Sequence, residues 1–123
     1  MASSGDDSGA LREVPVREVV EQNGVVIVRL GGELDVYNAG IVREALLDAA
    51  DRDAARLVVD LSAVSFVDST LLGVLVEART HVAEHSLLLA APMLDVRRAL
   101  EVSGLDRHFE VHETVDSALD AQG

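Results

Sequence analysis

Cysteine, lysine and tryptophan are all missing from this chain of 123 residues. Without cysteine there is no disulfide, no zinc–thiolate site and no thiol redox chemistry, and the composition suits a reducing compartment. Without lysine, all 10 basic side chains are arginine; against 22 acidic ones they leave a formal net charge of −12. A surface that acidic repels phosphate backbones, which sets aside direct nucleic-acid binding and docking on anionic membranes. No apolar run approaches the ~20 residues of a membrane span, so no membrane insertion is expected. The first residues also lack the basic-then-apolar order of a signal peptide. What the chain does have is 49% apolar residues. At this length that suffices for one domain with one core and no structural metal. The expectation is a small, acidic, cytoplasmic domain.

Residues 1–11 hold mostly Ser, Gly, Asp and Ala, with almost nothing to bury, and read as a disordered tail ahead of a domain over residues 12–121. Val14-Pro15-Val16 through Val20 reads as a strand, and Pro15 assigns it to a sheet edge because proline cannot donate to a ladder. Asn23-Gly24 supplies a tight hairpin turn. The β-branched run from Val25 to Leu30 follows, ended by Gly31-Gly32. Thereafter helices and strands alternate. Asn38 is placed to cap a helix to about Ala50, with Ile41, Val42, Ala45, Leu46 and Ala49 at helical spacing. Leu57–Leu61 is a buried strand, followed by a loop anchored by Phe66 and Val67 and a helix from Asp68 to about Glu84. Ser86–Ala91 is the next strand, Met93–Val102 a helix stopped by Gly104, and Phe109–His112 a last strand. Thr114 caps a final helix to about Ala121. An opening hairpin followed by strand–helix alternation gives a single α/β domain. Its mixed sheet has parallel central strands, because each later connection is long enough for a crossover, and it carries about four helices.

The segment Asp60-Leu-Ser-Ala-Val-Ser-Phe-Val-Asp-Ser-Thr-Leu-Leu-Gly-Val-Leu-Val76 is the most informative. It ends a buried strand and places Asp68-Ser69-Thr70 at a helix start. At ~100° per residue, Leu71, Val74, Leu75, Ala78 and Val82 share one face, which packs on the sheet. Ser69, Leu72, Gly73, Val76 and Thr80 share the other. An apolar strip headed by a serine suits a docking surface, unless neighbouring elements cover Leu72 and Val76. Ser69 alone could be a plain cap. A phosphoryl group there adds about −1.5 to −2 charges and opposes docking.

The run from Asp60 to Val76, with Gly32-Glu33-Leu34-Asp35, resembles the STAS domain of bacterial anti-sigma factor antagonists across roughly residues 14–121. The resemblance implies a STAS-like fold and a regulator that is not an enzyme and needs no cofactor. Unphosphorylated, such a protein binds an anti-sigma factor that doubles as an ATP-dependent serine kinase, and so frees a sigma factor. Phosphorylation of the serine after the motif aspartate ends the association, and a phosphoserine phosphatase restores it. Carried over, the acceptor is Ser69, and the partner surface comprises Glu33, Asp35, Asp68, Ser69, Thr70, Leu72, Gly73 and Val76. The family usually has glycine where this chain has Leu71, which reduces backbone freedom beside the acceptor. A second assignment within the same family is a scaffold in a sensory complex or a regulatory subunit of a transporter.

Three enzyme-like signals compete. A strand-end Asp60 suggests a phosphoacceptor receiver, but that chemistry needs a lysine. His81-Val-Ala-Glu-His85 matches a metalloprotease pattern at the end of a helix, without an obvious third ligand. A serine triad lacks its Gly-x-Ser-x-Gly elbow.

Overall fold

The computed structural model describes residues 14–84 and 86–121. The elements are β1 (Val16–Gln22), β2 (Val25–Leu34), α1 (Ala39–Ala50), β3 (Arg56–Val67) and α2 (Ser69–Arg79). They continue with β4 (Leu87–Ala90), α3 (Leu94–Ser103), a 3₁₀ turn (Leu105–Arg107), β5 (Glu110–His112) and α4 (Val115–Leu119). The five strands form one sheet in the order β1-β2-β3-β4-β5. The first pair is antiparallel, and the remaining pairs are parallel.

The strand order explains the layering. Each parallel strand is laid next to the last in one direction, so right-handed crossovers put every connecting helix on the same face of the sheet. That face holds the main core: Val26, Val28, Leu57, Val59, Leu87 and Leu89 from the strands meet Val42, Leu46, Leu71, Leu75, Val96 and Leu100 from α1, α2 and α3. The opposite face carries Val25, Ile27, Val58, Leu88 and Ala90, and among the described residues only the short α4 packs there, through Ala118, Val115 and Leu119. Asp60 lies on this second face, buried, with Arg29 Nε 3.5 Å away and the Ser62 amide donating to its Oδ1. It serves as an internal counter-charge to an arginine.

Local chemistry sets the boundaries. Asn23 (φ 53°) and Gly24 (φ 79°) form the hairpin turn, and Gly104 (φ 80°) ends α3 in the left-handed conformation. Thr114 caps α4 by accepting from the Ser117 amide. β1 is an edge strand preceded by Pro15, as the proline requires.

Several expectations need correction. Gly31-Gly32 does not end the second strand, and Phe66-Val67 is not a loop. Gly31 pairs with Ala63 and Leu34 with Val67, through two bulges that absorb the irregular register. Each segment supplies the other's ladder, and Leu34, Val64 and Val67 gain burial from it. Helix α2 stops at Arg79, well before Glu84, because the Thr80 amide and hydroxyl both turn back to the Glu77 carbonyl. Ile41 points to solvent; the buried stripe of α1 is Ala39, Val42, Leu46 and Ala49. Asn38 precedes α1 without capping it. The tail at residues 1–11 lies outside the described residues.

Candidate functional site

Every parallel strand points its C-terminal end at one rim of the sheet, where loops leave for the helices; ligand and partner sites of open α/β sheets collect there. Two loops meet at this rim, 35–38 ahead of α1 and Asp68 ahead of α2. They are joined by hydrogen bonds rather than mere proximity. The Asp68 amide donates to the Leu34 carbonyl at 3.1 Å, continuing the β2–β3 pairing past its end. The Asp68 carboxylate is divided: Oδ1 accepts from the Leu71 amide at 3.0 Å, capping α2, and Oδ2 accepts from the Val36 amide at 3.0 Å. One side chain thus closes a helix start and fixes the neighbouring loop.

The loop is braced from within. Asn38, buried, accepts from the Asp35 amide and donates to the Glu33 carbonyl, both at 2.9 Å. Asp35 Oδ1 accepts from the Tyr37 amide, an Asx turn. Asn38 therefore holds β2 to α1 by reaching backwards, and this is why α1 lacks a side-chain cap.

On this frame Ser69 is the first residue of α2 and is exposed, as is Thr70. Neither hydroxyl has a hydrogen-bond partner among the described residues. Leu71 is fully buried in the main core, so the residue standing for the family glycine serves as a packing anchor, on the opposite side of α2 from the exposed Ser69. Glu33 is exposed and Asp35 partly so, at the strand end and loop that Asp68 ties to the start of α2.

The apolar strip along α2 is only half present. Leu72 is partly buried against the core, whereas Val76 is 41% exposed. Gly73 is open, and a methyl group placed on it would meet nothing within 4 Å. Below Val76 the helices are tied by Arg43, whose guanidinium makes two 2.7 Å hydrogen bonds to Glu77. Further exposed apolar side chains lie on the segment tied to α2 by Asp68 and on the start of α1: Val36, Ile41 and the sole tyrosine, Tyr37, which is 83% exposed. Ile41 is read from the sequence as part of the helical stripe of α1, whereas Val36 and Tyr37 are not singled out there. Their signal was an apolar pair between Asp35 and Asn38, outside any helical or strand period.

The metalloprotease pattern finds no support in the geometry. The metalloprotease spacing needs a helix to bring its histidines one turn apart, and α2 ends at Arg79, ahead of His81. His85 lies outside the described residues. Among the described residues no cluster of three potential metal ligands occurs, and no helix is long and apolar enough to cross a membrane.

The family model of the STAS domain matches residues 17–118. The chain belongs to the STAS domain family. This STAS domain is 31% identical over 102 residues to the anti-sigma-F factor antagonist RsfB of Mycobacterium tuberculosis, covering 82% of this chain and 84% of the relative. It is 34% identical over 90 residues to the anti-sigma-B factor antagonist of Bacillus subtilis, covering 72% of this chain and 82% of the relative. Among solved structures, an anti-sigma factor antagonist from Mycobacterium paratuberculosis superimposes with a TM-score of 0.78 at 30% identity, over 83% of this chain and 88% of that one. The α/β reading with a mixed sheet and four α-helices agrees with the STAS architecture.

Proposed function

We propose that this STAS domain is a cytoplasmic anti-sigma factor antagonist whose grip on its partner is switched at Ser69. The unmodified chain binds an anti-sigma factor serine kinase and thereby releases a sigma factor. The observation that carries the reading is the exposed Ser69 hydroxyl, without a hydrogen-bond partner among the described residues and set at a helix start capped by the divided Asp68 carboxylate. The antagonist relatives support it.

The chain itself is substrate and ligand, not enzyme. Within the kinase's site the Ser69 oxygen attacks the γ-phosphorus of ATP, the bond to the β-phosphate oxygen breaks, ADP leaves, and the hydroxyl proton passes to the kinase. A phosphoserine phosphatase reverses the modification by hydrolysis. The helix N-terminus tolerates the new dianion, because the macrodipole favours negative charge there by up to ~2 kcal/mol. The modified domain therefore stays folded. The partner interface does not tolerate it: about two negative charges arrive beside Glu33, Asp35 and Asp68, on a rim whose apolar members must dehydrate to dock. Because Leu71 is locked in the core, the acceptor is presented on a helical turn, with less backbone freedom than glycine would give.

Mass spectrometry after incubation with the cognate kinase and ATP should find one phosphate, on Ser69, and none on the Ser69→Ala variant. Modification at Thr70 or Ser65, or co-purification with a membrane transporter in place of a soluble kinase, overturns the reading.

A further inference from the structure

A second apolar surface lies beside α3. Leu94 is 61% and Val102 90% exposed, and Phe66, at the end of β3, is half exposed. Phe66, Val67, Ala99 and Val102 line a groove, with Asp95 and Arg98 on its rim. None of these residues belongs to the serine site. Arg97, their neighbour, is paired with Glu113. Asp95 and Arg98, by contrast, are exposed and make no ion pair among the described residues. An apolar groove, a protruding leucine and two unpaired opposite charges thus share one helix face over about two turns.

We infer that this face binds a second copy of the chain about a twofold axis. The argument is self-complementarity, the requirement of an isologous contact. Two α3 helices packed antiparallel, with the axis between positions 95 and 98, set each Asp95 opposite the partner's Arg98. The same register sets Leu94 opposite the partner's Ala99, so that the protruding leucine of each copy enters the groove bounded by Phe66, Ala99 and Val102 of the other. Both charges then gain partners that the monomer does not supply. The charge pattern also explains why an acidic chain can meet itself here: on this strip one arginine balances one aspartate, despite the net charge of −12. A face two turns long buries less than the ~800 Å² per partner of a standard interface. The dimer is accordingly weak, with a dissociation constant on the order of 0.1–1 mM.

Sedimentation of the full chain, without any partner protein, up to about 1 mM should show its average mass rise from monomer toward dimer. Asp95→Arg and Arg98→Asp should each weaken self-association by at least ~10-fold, since each places like charges opposite one another twice. An equimolar mixture of the two variants should recover it, because every contact in the mixed dimer is again between opposite charges. Leu94→Glu should abolish it. All of these positions are exposed, and melting curves check that the variants fold. A chain that stays monomeric throughout overturns the inference, as does a mixture no better than either variant alone. Dilution-dependent amide shifts centred on Ser69 rather than on α3 also overturn it. Ser69 phosphorylation is read separately by mass spectrometry, so either proposal can fail without the other.

Discussion

Helices α1 and α2 begin side by side at the same rim of the sheet, yet their first turns are secured in opposite ways. Ahead of α1, Asn38 reaches backwards, to the Asp35 amide and the Glu33 carbonyl, and leaves its own helix uncapped. Ahead of α2, Asp68 reaches forwards to the Leu71 amide and sideways to Val36. The first arrangement fixes a loop at the expense of a cap. The second fixes a cap and a loop together, and directly after it sits Ser69, whose hydroxyl has no hydrogen-bond partner among the described residues. The rim is thus held at its backbone by hydrogen bonds, while the hydroxyl proposed as the phosphoryl acceptor stays exposed.

The comparison can be broken most severely one turn into α2. Leu71→Gly restores the family residue but removes a fully buried side chain and loosens the helix, so urea unfolding should show a loss of about 3–6 kcal/mol. Next in size are the two braces. Asp68→Ala removes two hydrogen bonds shared between α2 and the loop, and Asn38→Ala removes two within the loop. Each should lower stability by about 1–3 kcal/mol. Amide exchange distinguishes them: the first should unprotect both Leu71 and Val36, the second Asp35 but not Leu71. Equal patterns would mean that the two starts are not separately secured.

Gly73 sharpens the contrast from the other side. A methyl group there meets open space, so Gly73→Ala should stabilise α2 by roughly 0.5–1 kcal/mol in the free chain. If the partner approaches bare backbone at this point, the same variant binds it less tightly; opposite signs in folding and binding are the expected result.

The smallest effect comes from the Arg43–Glu77 tie between the helices. Hydrogen bonding to Arg43, and then its charge, hold the Glu77 carboxyl below its ordinary value of 4.5, and the pair raises the Arg43 guanidinium in turn. A lowered acid stabilises the fold above its unfolded-state pKa, and loses that contribution as pH falls through the folded value. The difference in unfolding midpoint between the parent and Glu77→Gln should therefore be constant near neutrality and close below pH ~4. As both groups are exposed, salt should shrink it further.

Much of this was legible in the sequence for identifiable reasons. Val25–Leu30 and Leu57–Leu61 are Val-, Ile- and Leu-rich and apolar apart from Arg29 and Asp60, as strands covered on both faces tend to be. Gly104 and Thr114 sit where helix ends demand such residues. The α2 faces followed from helical period, and Leu71, Val74, Leu75 and Ala78 are buried as expected. The misreadings share a cause. Gly31-Gly32 looks like a strand end locally, but a partner ladder some 30 residues away carries the strand on to Leu34. Leu72 lies on the outer face by angle, yet is partly covered by packing that period alone does not encode. Tyr37 and Val36 escaped notice because exposed loop apolars follow no period. Local pattern found Ser69 at the helix start and only part of the apolar surface around it.

The most direct test is a titration of the anti-sigma factor kinase with the unmodified chain and with the chain phosphorylated on Ser69. The account predicts that the phosphoryl group weakens binding by at least ~100-fold, or about 2.7 kcal/mol, while the melting temperature of the free domain changes little. Equal affinities for the two forms would contradict it.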